Sequence, residues 1–406
     1  MTHHSPSPLT RVPGFRAVGV TCGLKPSGQP DLALVLANQV CPAAAVFTAT
    51  TFKAAPVWYD MTLLPRNGSQ LQAVIINAGN ANAITGAQGL RDAEQMARLT
   101  ESACGLPTDS VLVMSTGVIG HKLPMDRVEQ GIRAAATAIL TEAGARGHQA
   151  IQAIMTTDLV PKEAFAQISI GGHSVSIGGM AKGSGMIHPN MGTMLAVLAT
   201  DARIEPTALQ TALKQVVART FNRVTVDGDT STNDTVVILA SGRADVSIAN
   251  SSPEFNSFVE ALTGLCATLA KAIARDGEGA TKLVEITIRG AASEAEAETA
   301  AKTVATSPLV KTALFGNDPN WGRILAAIGR SGATVNPARV SLDLGHLALV
   351  RAGEPLEFDP VAAHHWLANQ NEVRVVADLG AGQAEATVWT CDFSYKYVEI
   401  NAEYHT

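Results

Sequence analysis

Aromatic side chains make up only 4% of the 406 residues and charged ones only 16%, whereas 46% are hydrophobic. Core bulk must therefore come from valine, isoleucine, leucine and alanine, which suit close-packed sheets and helices. A chain of this length holds two or three domains, or one large layered unit. A basic run is missing and the net charge is −6. That argues against nucleic acid, which needs a cationic footprint, and against an anionic membrane surface. No apolar stretch of about 18 residues is free of turn residues or charges, so no membrane-spanning helix is expected. The opening residues, MTHHSPSPLTRVPGF, carry no apolar signal core. Five cysteines (Cys22, Cys41, Cys104, Cys266, Cys391) are scattered and form no CxxC pair. They read as reduced core thiols of a cytoplasmic protein.

Several chemical signatures are also missing. In GGMAKGSG, Gly178 and Gly183 have the gap of a phosphate loop, but Ser184 follows where lysine is required. The stretch GNDPNWGRILAAIGRSG, Gly316 to Gly332, lacks the GxGxxG of a dinucleotide site. His364 and His365 are adjacent on an expected helix and so face different directions, while His121, His148, His173 and His188 are isolated. No HExxH and no histidine–cysteine grouping occurs, so neither a metal nor a bound cofactor is expected. The G-x-S-x-G elbow of a serine hydrolase is absent too.

What is present is punctuated strands and helices. DLALVLA (Asp31 to Ala37), QAVIINAGNANAITG (Gln72 to Gly86) and SVLVMSTGVIG (Ser110 to Gly120) carry apolar runs closed by turn residues, hence strands. Arg91 to Gly105 and Asp126 to Gly144 carry helical spacing, the first with a glycine stop and the second with aspartate at its start. FAQISIGGHSVSIGGMAKGSG alternates strand runs with Gly-Gly turns and reads as a hairpin, while Gly178 to Asn190 reads as a glycine-rich loop stretch. Further helices are expected over PTALQTALKQVVARTFNRV, Ser252 to Gly279, SEAEAETAAKTVATSP and PVAAHHWLANQ. Further strands are expected over VVILASG, VEITIRG and VRVVADLG, and the tail FSYKYVEI looks strand-like. No repeat and no linker appears, so the pattern favours α/β layers with mixed or antiparallel sheets.

Thr193 stands where that glycine-rich stretch meets an apolar run, MLAVLAT. A threonine that starts a strand is the plain explanation. The chemical alternative needs a base, because a threonine hydroxyl is a poor nucleophile. A terminal threonine has one in its own α-amine, whose pKa is about 7.7–8.0. An internal threonine acquires it only if the chain is cut before it. The hydroxyl would attack the carbonyl of Gly192, an N→O acyl shift would form an ester, and water would release the new terminus. Gly192 has no Cβ to oppose the strained backbone of that attack.

The stretches STGVIG (Ser115 to Gly120), MTTD (Met155 to Asp158), KGSGMIHPNMGTMLAVLATDA (Lys182 to Ala202), DGEGATK (Asp276 to Lys282), GNDPNWGRILAA (Gly316 to Ala327) and YVEINAEYHT (Tyr397 to Thr406) occur in order and span nearly the whole chain. Together they resemble the glutamate N-acetyltransferase/ornithine acetyltransferase family of arginine biosynthesis. Two positions depart from the family pattern: Gly192 stands where alanine is most often found, and Leu159 where threonine is frequent.

The resemblance implies a layered α-β-β-α sandwich with mixed or antiparallel sheets and an additional smaller α/β domain. It implies self-cleavage into residues 1–192 and 193–406, which stay together as α and β chains in an α2β2 heterotetramer. Thr193 is then the nucleophile that carries acetyl from N2-acetylornithine to L-glutamate, with Thr116 and Gly117 as the oxyanion hole. Such a donor is worth roughly 3 kcal/mol in comparable sites. The resemblance also points to Thr157 (with Thr156 as its less favoured neighbour), Lys182, Glu278, Asn401 and Thr406 as substrate-binding residues. Some members accept acetyl-CoA as a co-substrate, which would make the chain bifunctional. Asp227 and Asp229 read as turn and structural acids. The rival enzyme is an N-terminal-nucleophile aminopeptidase or amidase, which would pass the acyl group to water. The non-enzyme rival is an uncleaved amino-acid-binding protein.

Overall fold

The computed structural model describes residues 6–141, 147–188 and 194–403; Gly192, Thr193 and Thr406 lie outside them. The first part of the chain runs β1 (Phe15–Val20), β2 (Leu32–Cys41), β3 (Ala43–Phe47), α1 (Ala55–Asn67), β4 (Leu71–Asn80), α2 (Gly86–Cys104), β5 (Val111–Val118), α3 (Met125–Thr141), α4 (Gly147–Ile154), β6 (Lys162–Ile170) and β7 (His173–Lys182). It continues with β8 (Leu195–Thr200), β9 (Arg203–Ile204), α5 (Pro206–Arg219), β10 (Thr235–Ala240), β11 (Ser247–Ile248) and α6 (Pro253–Arg275). The last part is β12 (Leu283–Ala291), α7 (Glu294–Ala305), α8 (Pro308–Phe315), α9 (Trp321–Gly329), β13 (Ser341–Leu344), β14 (Leu347–Arg351), β15 (Glu354–Pro355), α10 (Pro360–Ala368), β16 (Glu372–Asp378), β17 (Ala384–Cys391) and α11 (Tyr395–Glu403).

Side-chain alternation builds the layers. In the sheet β1-β2-β4-β5, Leu32, Leu34, Leu36, Ile75 and Val113 face Met96 of α2 and Val128 and Ile132 of α3. Their neighbours Ala33, Val35, Val74, Ile76 and Leu112 point the other way and meet Leu195, Val197, Val237 and Leu239 of the sheet β3-β10-β8-β7-β6. The opposite face of that second sheet, through Ile177, Leu198, Val236 and Ile238, packs on α5 and α6. The result is four layers, helix–sheet–sheet–helix, as the family resemblance implies. Both sheets are mixed: β4 and β5 pair parallel, as do β8 and β10, and the other pairs are antiparallel. A third sheet, β15-β14-β13-β16-β12-β17, is covered on one face by α7 to α10 and forms the smaller α/β unit.

Against the sequence expectation, α6 is long and apolar enough by length and composition to cross a bilayer. Its apolar face, however, lies in the protein core, with Phe258, Leu262, Leu269 and Ile273 against the second sheet.

The glycine stop of α2 holds: Gly105 sits in the left-handed region at φ 67°. The helix itself begins at Gly86, five residues before the apolar periodicity does. Gly171 (φ 58°) and Gly172 (φ 83°) form the β6–β7 hairpin turn, a conformation that β-carbons oppose.

Two expectations are corrected. Gly178 to Lys182 is not loop but the buried second half of β7. Its glycines serve close packing: a Cβ on Gly178 would stand 2.2 Å from the Pro8 carbonyl oxygen, and one on Gly179 would stand 2.5 Å from Leu198 Cδ2. The tail is not a strand but the helix α11. Ser394 Oγ accepts from Lys396 N at 3.1 Å and starts the helix. The glycine at 279 lets the Tyr397 backbone approach to within 2.5 Å of the site a Cβ would fill. A local cap and a close docking outweigh the β-propensity of the aromatic residues.

All five cysteines are unpaired; Cys41, Cys266 and Cys391 are buried, while Cys22 and Cys104 are half-buried rather than core. Burial pushes the Cys41 thiol up to about 12 and that of Cys104 to about 11.

Ile76 is completely buried between the two central sheets. Ile76→Ala should lower unfolding free energy by about 2–5 kcal/mol in a denaturant titration, because the flanking sheets cannot collapse into the cavity.

Candidate active site

The ends of the two central sheets and the turn after α6 enclose a cavity of about 90 Å³. Its walls come from distant stretches: Thr116 and Gly117 at the end of β5, Thr156 and Thr157 after α4, Lys182 at the end of β7, Ser231 to Asn233 before β10, Glu278, and Asn401 of α11. Six residues named from sequence thus share one cavity: Thr116, Gly117, Thr157, Lys182, Glu278 and Asn401.

Gly117 lies on β5, the edge strand of its sheet, with φ 129°. A Cβ there would stand 2.3 Å from the carbonyl carbon of Gly79 and 2.5 Å from Asn80 N. Only glycine lets the strand end come so close to its neighbour. Thr116 beside it is buried and lies 3.4 Å from Lys182 Nζ.

Lys182 is almost wholly buried, with its ammonium donating to Thr156 Oγ1 at 2.6 Å and facing Asp158 Oδ2 at 3.8 Å. Burial lowers its pKa, and the Asp158 carboxylate opposes that. Burial would raise Asp158, but the ammonium groups of Lys182 and Lys162 outweigh it and hold this carboxyl at about 2. Asp158 Oδ1 accepts from Lys162 Nζ at 2.7 Å and from Gly183 N at 2.7 Å, and Oδ2 accepts from Thr156 N at 3.0 Å. Lys162 Nζ donates in turn to Asp276 Oδ2 at 2.5 Å.

Glu278 is buried rather than solvated at its helix end. Its backbone N donates to Ser184 O at 2.9 Å and its Oε2 accepts from Asn401 Nδ2 at 2.8 Å. Gly185 makes room for it, since a Cβ there would lie 2.3 Å from the Glu278 carboxyl carbon. Asp227 accepts from Met186 N at 2.6 Å and Ile187 N at 2.8 Å. It is therefore the structural acid expected, and it fixes the segment that follows Gly185.

Apart from Thr156, the other contributors carry no residue-level signal of their own. Thr156, the less favoured of its pair, makes the close hydrogen bond to Lys182. Asn233 Nδ2 donates to Ala81 O at 2.6 Å and to Ser115 O at 2.8 Å, tying the second sheet to the first beside Thr116. Asp234 is completely buried; its Oδ1 accepts from Met194 N, the residue after Thr193, at 2.8 Å, and burial raises its carboxyl well above the usual range. The only hint in sequence is the polar run DGDTSTND set directly before a buried strand.

Chemically, the cavity is lined by one buried cation, Lys182, and one buried carboxylate, Glu278, together with hydroxyl and amide groups. That charge pattern matches the carboxylate and ammonium of a free α-amino acid, and the groups at the end of β5 suit a polarised carbonyl oxygen.

The ArgJ family model matches residues 16–406. An arginine biosynthesis bifunctional protein ArgJ from Symbiobacterium thermophilum is 52% identical, over 98% of this chain and 98% of its own. The protein of the same name from Synechococcus sp. is 47% identical, over 98% and 97%. Among solved structures, an ornithine acetyltransferase complexed with ornithine from Mycobacterium tuberculosis is 36% identical, covering 45% of this chain and 95% of that chain, with a TM-score of 0.39. With two relatives this similar over nearly their whole length, the chain belongs to the ArgJ family.

Proposed function

We propose that this chain transfers the acetyl group of N2-acetylornithine to L-glutamate, giving ornithine and N-acetylglutamate, after cutting itself between Gly192 and Thr193. The observation that carries this reading is the placement of Lys182 and Glu278 on one cavity with Thr116 and Gly117, in a member of the ArgJ family. The two substrates have side chains of opposite charge and share an α-carboxylate and an α-nitrogen. A site that serves both must hold the shared groups, and a buried ammonium is suited to the carboxylate.

In this mechanism the freed amine of Thr193 takes the proton of its own hydroxyl, whose oxygen attacks the acetyl carbonyl. Thr116 and Gly117 stabilise the oxyanion. The tetrahedral intermediate collapses, the C–N bond breaks, and ornithine leaves with the proton. The amine of glutamate then attacks acetyl-Thr193 and restores the enzyme. One amide replaces another, so no ATP is needed. Lys182 holds the carboxylate, Thr156 and Thr157 flank it, and Glu278, held by Asn401, faces the amine. Thr406 belongs to the same site in this reading. Acetyl-CoA serves as a second acetyl donor. Residues 1–192 and 193–406 remain together as α and β chains in a cytoplasmic α2β2 assembly.

N-terminal sequencing should return a second terminus beginning at Thr193, and Thr193→Ala should remain one chain without acetyl transfer. If the active wild type is a single uncut chain, the mechanism is wrong. Incubation with acetylornithine separates transfer from hydrolysis: ornithine released equally fast without glutamate would make the enzyme an amidase.

Gly185→Ala tests Glu278. The three atoms nearest the added methyl all belong to the Glu278 carboxylate at the end of that side chain, which can turn away, so the protein should fold with a melting temperature within a few degrees of wild type. Displacing the carboxylate should lower kcat/KM at least about tenfold, a loss of roughly 1.4 kcal/mol in transition-state stabilisation. Steady-state kinetics beside a thermal melt checks both parts.

A further inference from the structure

Four charged side chains link the two charged walls of the cavity through the interior. From Lys182 the path runs to Asp158 Oδ2 at 3.8 Å, from Asp158 Oδ1 to Lys162 Nζ at 2.7 Å, and from Lys162 to Asp276 Oδ2 at 2.5 Å. Asp276 stands two residues before Glu278, and its carbonyl accepts from Ser184 Oγ at 2.6 Å. The signs alternate, and all four side chains are buried. Lys162 and Asp276 do not line the cavity.

We propose that Asp158 is the positioning residue for Lys182, supplying the countercharge that a buried ammonium requires, and that Lys162, shared with Asp276, holds Asp158 in turn. The inference rests on the acetyl-transfer reading, in which Lys182 binds the substrate α-carboxylate. It goes beyond that reading by assigning control of substrate binding to three residues that need not touch substrate.

Three observations converge. Asp158 is the only carboxylate within ion-pair distance of Lys182 among the described residues. Asp158 also fixes both ends of the local geometry, through Gly183 N after Lys182 and Thr156 N beside the Lys182 hydrogen-bond partner. The remaining charged groups that act on Lys182 are Lys162, which opposes its charge, and Asp234 and Glu278, which favour it; Lys25 also lies within electrostatic reach. An ammonium buried without a countercharge releases its proton readily.

The sign follows. Lys182 is already lowered by burial, and Asp158 opposes that lowering. Asp158→Asn removes the opposition, so binding of an α-carboxylate should fail at lower pH than in the wild type. Lys162→Gln removes a repelling cation while retaining donors, so the same limb should move to higher pH.

The test measures acetylornithine binding by calorimetry and its KM from pH 6 to 9.5. This ligand carries no free α-amine, and its side-chain amine resembles that of lysine, near 10.4. Asp158→Asn, whose amide keeps only one acceptor oxygen for the donors around it, should weaken binding least at pH 6 and at least tenfold further by pH 8. Lys162→Gln should retain binding at pH values where the wild type loses it. Recovery at low pH is the signature that a structural defect would not give. A loss of the same size at pH 6 and pH 8, with no recovery on the acid side, or an unchanged profile in both variants, overturns the proposal. If Asp158→Asn does not fold, the direction of the Lys162→Gln shift decides alone. A wild type without acetyl transfer refutes the functional reading instead, whatever these variants do.

Discussion

A lysine ammonium inside a protein persists as a charge only where a carboxylate and oriented dipoles replace the water it gave up. At Lys182 that replacement is Asp158 and the Thr156 hydroxyl. The arrangement around them follows from this requirement. Asp158 uses its remaining capacity on Gly183 N, which orients the chain as it leaves β7. It needs Lys162 to be stable in its own buried position, and Lys162 in turn brings in Asp276 at the end of α6. The turn that carries Glu278 is thereby attached to the strand that carries Lys182. Opposite charges line the same cavity with partners of their own, Asp158 and Thr156 for Lys182 and Asn401 for Glu278.

The layered fold makes this possible by separating two tasks. Ile76, Val35, Val197 and Leu239 fill the space between the sheets with apolar bulk and provide a rigid frame. The polar chemistry is confined to the strand ends, where chain leaving β5 and β7 and chain entering β10 converge. Asn233 joins the two regimes, since its amide reaches from the chain entering β10 to the carbonyls of Ala81, just after β4, and of Ser115 on β5. The smaller unit contributes from the other side: β17 leads into α11, and Asn401 reaches Glu278 from there.

Much of the scaffold was legible in the sequence because period-two alternation and turn chemistry are local. Leu32 to Ala37, the Gly105 stop and the Gly171–Gly172 turn all lie where their neighbours dictate. The errors have a common cause in contacts remote along the chain. Gly178 and Gly179 look like loop residues until Pro8 and Leu198 close on them. Tyr395 to Glu403 looks like a strand until Ser394 caps it and Gly279 admits its backbone. Within the site, Lys182, Glu278 and Asn401 were suggested by family resemblance and not by spacing, for nothing local marks them. Asn233 and Lys162 carried no such suggestion.

By itself the sequence determined the types and order of most elements, the α/β class, and the family, because hydrophobic period, capping and motif order are written in adjacent residues. Only the tertiary structure decided that positions as far apart as Thr116, Lys182, Glu278 and Asn401 line one cavity, and that Lys162 lies wholly inside, between two carboxylates. Burial and charge pairing depend on what packs from elsewhere in the chain, and that is a property of the fold as a whole.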